Sequence, residues 1–353
     1  MPPQTAPRLP RRRVNAWLLS AGLLPGKVVL GHDKGPRAEV ESHSLEKASL
    51  PASRVIDFDW VDKRRARAVP ARLYWPVGKA PPEGRPLVVF SHGIGGSRQG
   101  YSYMGRHLSA HGIASLHVQH VGSDANLWRG NPFGVIERLQ AAAREEEVID
   151  RTADVRFALD RMLDPAMQDG ALHIDAARLV MAGHSYGANT TLLALGARVV
   201  RHGRVVECAE PRFAAGIVIS APPFYGEVDL DAVLGPLRVP TLHVTATADV
   251  IEIPGYRSGA ADRLDVFRAV GDPRKLLAVF EGGSHSMFTD RALTGGLTLN
   301  PKVKRATAQL ATAFLDLTFR QDGHSLARWR QAWQPLLAQV PGVQFPAGAL
   351  ETS

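Results

Sequence analysis

Two periods of apolar and polar positions run along this 353-residue chain, and the change from one to the other marks its elements. Arg54-Val55-Ile56-Asp57-Phe58-Asp59-Trp60 alternates residue by residue, as a half-buried strand does, and Ala71-Arg72-Leu73-Tyr74-Trp75 answers it across a basic turn. Later runs are apolar throughout: Leu87 to Phe90, Ile113 to Val118, Leu179 to Ala182, Ile217 to Ile219, Leu242 to Val244 and Leu276 to Phe280. Strands covered by helices on both faces read this way, so these runs predict a parallel sheet.

Between the strands the period lengthens. Val148, Thr152, Val155, Leu159 and Met162 recur at steps of three and four, which predicts an amphipathic helix that Asp164-Pro165 ends. Asn300-Pro301 reads as N-cap and first helical residue before a stripe of Ala306, Leu310, Phe314 and Leu317. Gly323 closes that helix, and Ser325 to Trp333 begins another with Trp329 and Trp333 on one face. The fold class is therefore α/β: a mostly parallel twisted sheet, helices on both faces and an N-terminal antiparallel strand pair. The expected organisation is a polar, basic arm over 1–50, a main domain over 51–323 and a C-terminal helix and tail over 324–353.

Composition narrows this picture. With 45% hydrophobic and 22% charged residues the chain can bury a large core. No stretch reaches the roughly 18 apolar residues of a spanning helix, which predicts a soluble protein without a transmembrane segment. The net charge of +8 gathers at Arg11-Arg12-Arg13 and at Lys63, Arg64, Arg65 and Arg67. Neither cluster interleaves aromatic residues as a nucleic-acid platform would, so both are read as solvated basic surface and no nucleic-acid partner is expected. Cys208 is the single cysteine, which excludes an intrachain disulfide and a cysteine-based metal knuckle. Basic residues from Arg8 to Arg13 precede the short apolar stretch Trp17 to Leu24, in the order of a twin-arginine export signal but without an A-x-A cleavage site. Localisation stays open between cytoplasm and export, and the oligomeric state is not given.

The chemistry starts at Gly183-His184-Ser185-Tyr186-Gly187. An apolar strand precedes it and an Ala/Leu-rich helix follows, so it fits the G-x-S-x-G elbow that lifts a serine onto a sharp turn. The two glycines let the flanks of that turn approach each other, where a side chain would collide. A serine hydroxyl is a weak nucleophile and needs a histidine base, which in turn needs a carboxylate to hold its tautomer. In the order Ser, acid, His that goes with this elbow, Asp249 ends the strand of Leu242 to Val244, and His285 follows the strand of Leu276 to Phe280. Glu252 and Asp229 are alternative acids. Backbone N–H groups of Tyr186 and of Ile94, in Ser91-His92-Gly93-Ile94-Gly95-Gly96-Ser97, are the expected oxyanion donors. That loop lacks the spacing and lysine of a phosphate cradle. His184 is assigned to packing or a hydrogen bond, His243 to the core, and His117 and His120 to satisfied or solvent-facing positions on opposite faces of a strand end. No metal site is expected.

Phe90 to Arg98, the elbow, the stretch from Pro240 to Asp249 and Gly282-Gly283-Ser284-His285 together resemble the dienelactone-hydrolase and platelet-activating-factor-acetylhydrolase-like branch of the α/β-hydrolases over about residues 54–320. The resemblance implies an α/β-hydrolase fold and a serine esterase with Ser185, Asp249 and His285 as its triad, Ile94 and Tyr186 at the oxyanion positions and no cofactor. Dienelactone hydrolases carry a cysteine nucleophile where this chain has Ser185, which speaks against dienelactone turnover. Thr247 to Ile251 is also similar to bacterial cutinase-like polyester hydrolases, although Met181 and His184 depart from the tryptophan-bearing elbow of that group. The expected activity is hydrolysis of a small or polymeric carboxylic ester through an acyl-serine. An acyltransferase, a thioesterase and a catalytically silent binding module are the alternatives. Trp128 and Phe133, in the connection from Val121 to Leu139, and Phe224 and Tyr225, in that from Ser220 to Gly235, are expected to wall a shallow pocket.

Overall fold

The structure is a computed structural model that describes residues 53–168, 172–253, 256–290 and 298–340. The expected basic arm with its export-like stretch lies outside the described residues, as does the tail after residue 340.

Eight strands form one sheet: β1 (Arg54–Asp62), β2 (Arg67–Trp75), β3 (Arg85–Ser91), β4 (Ala114–Val118), β5 (Ile174–His184), β6 (Ala215–Ile219), β7 (Thr241–Ala246) and β8 (Lys275–Phe280). Their order is β1-β2-β4-β3-β5-β6-β7-β8. The first pair is antiparallel, β2 is antiparallel to β4, and the remaining neighbours run parallel. Every run expected to be a strand is one. Each of β3, β4, β6 and β7 is buried along its whole length, which is why their sequences show no alternation.

Alternate residues of these strands feed cores on opposite faces. Val88 and Phe90 point to one face, where they pack with Leu108 of α1 (Ser102–Ala110) and Leu310 and Phe314 of α2 (Leu299–Arg320). Leu87 and Val89 point to the other, against Val155, Leu159 and Met162 of α3 (Glu145–Leu163). A final helix, α4 (His324–Trp333), docks on α2: the Trp329 indole donates to the Ala306 carbonyl at 2.7 Å and that of Trp333 to Gln309 at 2.8 Å. Beyond it the chain lies along the outer edge of β8, where Phe280 bridges Leu337, Glu281 donates to the Leu336 carbonyl and Ala338 donates to that of Val279.

Two expectations change. Helix α2 starts at Leu299 behind Thr298, so Asn300 and Pro301 fall inside its first turn, where the missing proline N–H costs nothing, and Asn300 is buried. The helix stops at Arg320 because Gln321 turns left-handed with φ of 56°, ahead of Gly323. The basic turn is no solvated surface. Arg65 pairs with Asp62 and Asp154, each at 2.7 Å, and Arg67 with Asp154 at 3.0 Å and Glu147 at 3.1 Å, so the turn is fastened to α3. The sequence offers Glu147, Asp150 and Asp154 at helical spacing on that helix, but not their partner.

Candidate active site

β5 delivers the chain to Ser185, whose φ of 55° and ψ of −119° lie outside the regions that L-residues favour, and α5 (Tyr186–Ala194) begins at once. Such a backbone persists only where its surroundings enforce it. Here the enforcement is close packing. A Cβ at Gly183 would meet the Gly187 carbonyl oxygen at 2.2 Å, and one at Gly187 would meet the Ser91 carbonyl oxygen at 1.9 Å.

Asp249 follows β7 and His285 opens a short turn after β8, on the sheet edge where Ser185 emerges. The His285 imidazole bridges them: Nε2 lies 2.8 Å from the Ser185 Oγ and Nδ1 lies 2.7 Å from an Asp249 carboxylate oxygen. All three residues are buried. The other Asp249 oxygen accepts from Thr245 at 2.7 Å and from Ser220, and the buried Arg263 guanidinium stands 3.6 Å from the carboxylate. Burial acts to raise the Asp249 pKa, but the charge and hydrogen bond of His285, the Arg263 charge and the Ser220 hydroxyl outweigh it, holding the carboxyl well below its usual range. Of the alternative acids, Glu252 is exposed and Asp229 caps a short helix by accepting from the Ala232 N–H at 3.0 Å.

His184 has a defined task. Its Nε2 donates to the His285 carbonyl at 3.0 Å, and its Nδ1 accepts from the Tyr101 hydroxyl at 2.9 Å. Burial, then the neighbouring His285, lower its pKa to about 3, so the ring stays neutral and its tautomer is set by these bonds. Tyr101 also accepts from the Gly93 N–H at 3.2 Å. A line of hydrogen bonds therefore joins the glycine-rich loop to the backbone of His285. His117 and His120 are both buried and bonded, the first to Gly100 and Ser115, the second to Ser91 and Asp154, rather than solvent-facing.

The glycine-rich loop closes over the serine. The Gly93 carbonyl accepts from the Gly96 N–H at 3.0 Å and from His92 Nδ1 at 2.7 Å, while the Ile94 and Tyr186 N–H groups take part in no backbone hydrogen bond among the described residues. A cavity of about 360 Å³ opens above Ser185 and His285, walled by Gly93 to Ser97, Gln99 to Tyr101, Ala125, Ser286, Thr289 and Asp290. The four aromatic residues expected to wall it do not. Trp128 packs beneath the loop and donates to the Gly95 carbonyl at 2.9 Å, Phe133 is 92% exposed, Phe224 is buried with Leu192 and Leu193 of α5, and Tyr225 is outside the lining. Their rings follow local packing, which the loop sequences do not encode. Tyr101, Ser220, Thr245 and Arg263 were not singled out from the sequence. The one signal available was Ser220, a polar residue closing an apolar strand as Ser91 does.

Residues 66–128 match the family model of platelet-activating factor acetylhydrolase, isoform II. The platelet-activating factor acetylhydrolase of Cavia porcellus is 25% identical over 306 residues, which cover 76% of this chain and 64% of that relative, so the chain spans less than two thirds of its length. Among solved structures, the ferulic acid esterase of Streptomyces cinnamoneus superposes with a TM-score of 0.54 at 19% identity, covering 87% of this chain and 96% of that one. A Klebsiella pneumoniae protein with a provisional dienelactone-hydrolase name gives a TM-score of 0.51 at 16% identity over 74% of this chain and 98% of that one. The fold is that of the α/β-hydrolases.

Proposed function

We propose that this protein hydrolyses carboxylic esters through an acyl-serine intermediate, with Ser185 as nucleophile, His285 as general base and acid, and Asp249 as the carboxylate that orients His285. The carrying observation is the unbroken hydrogen-bond line from Ser185 through His285 to Asp249 on the floor of an open cavity. As the Ser185 oxygen bonds to the ester carbonyl carbon, its proton passes to His285 Nε2 while the Nδ1 proton stays hydrogen-bonded to Asp249. The carbonyl oxygen becomes an oxyanion held by the N–H groups of Ile94 and Tyr186, and the alcohol leaves with the proton from His285. Water, deprotonated by the same imidazole, then releases the acid and restores the serine.

The cavity walls support a small acyl group. They are glycines, hydroxyls and one amide, with Ile94 and Ala125 as the aliphatic contribution. The name of the guinea-pig relative, an acetylhydrolase, agrees with a short acyl chain.

Replacement of Ser185 by alanine tests this reading. With the fold intact by circular dichroism, p-nitrophenyl acetate turnover is expected to fall by about a thousandfold or more, and a fluorophosphonate probe to label the wild type at Ser185 and the variant not at all. Turnover near the wild-type rate in the alanine variant would end the assignment.

A further inference from the structure

Arg151 on α3 is fully buried, and its hydrogen-bond partners are all neutral. Nε donates to Thr190 at 3.0 Å, Nη1 to Ser123 at 2.7 Å, and Nη2 to Ser91 at 2.9 Å and to the His92 carbonyl. The Tyr186 ring lies against the guanidinium at 4.4 Å. One cation thus touches the glycine-rich loop, the turn after β4 and the first turn of α5. Balancing charge stands one bond further away: Ser123 donates to Glu147 at 2.6 Å, and Ser91 meets His120, which is bound to Asp154 at 3.1 Å.

These contacts bracket the two oxyanion donors. Tyr186 carries one donor N–H and rests its ring on Arg151. The other, at Ile94, belongs to the peptide whose carbonyl is that of Gly93, and a planar trans peptide aims its N–H opposite to its C=O. Arg151 grips the preceding peptide through the His92 carbonyl, so the swing of the loop toward or away from α5 is set at the guanidinium. A planar cation with five donors can hold three backbone segments at fixed separations, which an ammonium cannot.

We infer that Arg151 is a positioning residue that sets the spacing between the Ile94 and Tyr186 oxyanion donors across the loop and the nucleophile helix. The inference rests on the ester-hydrolase reading above. It differs from a purely structural role in acting on the transition state: loosening Arg151 lowers kcat and leaves KM in place, and the loss concerns an oxyanion in particular.

The test is Arg151→Lys assayed on p-nitrophenyl acetate and on the corresponding thionoester, whose sulfur is a poor hydrogen-bond acceptor. With the fold intact, kcat for the ester should fall by about 10- to 100-fold with KM within about twofold, a part of what losing one whole donor costs. The ester-to-thionoester rate ratio should fall with it. A folded variant whose kcat and rate ratio both stay within about twofold of wild type overturns the inference. If the lysine variant does not fold, Thr190→Val removes one anchor of the guanidinium at nearly constant volume: a lower rate ratio supports the inference and an unchanged one overturns it. Wild-type protein that fails to hydrolyse p-nitrophenyl acetate overturns the ester-hydrolase reading itself and this inference with it, whereas an active wild type beside an unaffected lysine variant removes the inference alone.

Discussion

Gly187 allows the nucleophile turn and the oxyanion loop to share one small volume, because a methyl group there would sit 1.9 Å from the Ser91 carbonyl oxygen and 2.8 Å from that of His92. Both atoms are backbone, so neither can rotate away. Gly187→Ala is expected to destabilise the protein by about 1–3 kcal/mol and, in the folded fraction, to lower p-nitrophenyl acetate turnover far more than a loss of that size explains, because the loop carrying Ile94 must move. Chemical denaturation and a rate per folded molecule separate the two effects. A near-wild-type rate would mean that the loop yields without cost. At this scale the sequence was readable wherever the chemistry forces a local pattern. Gly183, Ser185 and Gly187 stand in one pentapeptide, and Asp249 and His285 each follow a strand in the order the elbow demands. Tyr101, Arg151 and Arg263 are 83, 39 and 14 positions away from His184, Thr190 and Asp249 respectively, by subtraction of their residue numbers. No spacing rule links such pairs, so they emerge once the sheet has brought them together.

The strands were legible because burial on both faces leaves a continuous apolar run, and their ends were less so because the last residues pair in the sheet whatever their polarity. Ser91 and His184 are strand residues for that reason. The limits of α2 show the same thing: Asn300-Pro301 is a strong local start signal, yet one further residue before it is helical, with Thr298 at its cap. Helix α4 was foreseen from its tryptophans, and its attachment depends on them. Trp329→Ala removes a buried indole and its bond to Ala306, and should cost about 3–5 kcal/mol in urea unfolding. No residue of α4 lines the cavity, so the rate per folded molecule should be preserved. A variant that keeps its stability would place the weight of this docking on other residues.

Over the whole molecule, buried histidines set the response to acid. Burial pulls down the pKa of six of them, to about 4 for His107 and His117, to about 3 for His184 and His243, and well below the ordinary value for His92 and His120. The unfolded chain takes up these protons near pH 6.5, while the folded chain refuses them, so stability is full above that pH and falls as the medium is acidified. Each histidine contributes a slope of about 1.4 kcal/mol per pH unit between roughly pH 6 and its folded pKa. Asp249, with a depressed carboxyl, adds a loss below the usual carboxylate range, while Glu147 and Asp154, raised by burial, act in the opposite direction. Two groups do not offset six. The melting temperature should be level above about pH 7.5 and drop steeply between about pH 6 and pH 4.5; a level curve through that window would mean that the histidines gain protons without unfolding. The sheet has a further consequence at its far rim. β8 hands the chain to His285, and its outer edge is covered by residues 336–338 alone among the described segments. Trimming the protein back to the end of α4 would bare a row of amides next to the proton carrier. The shortened molecule would keep its nucleophile yet acquire an adhesive border, so self-association and a misplaced imidazole would arrive together.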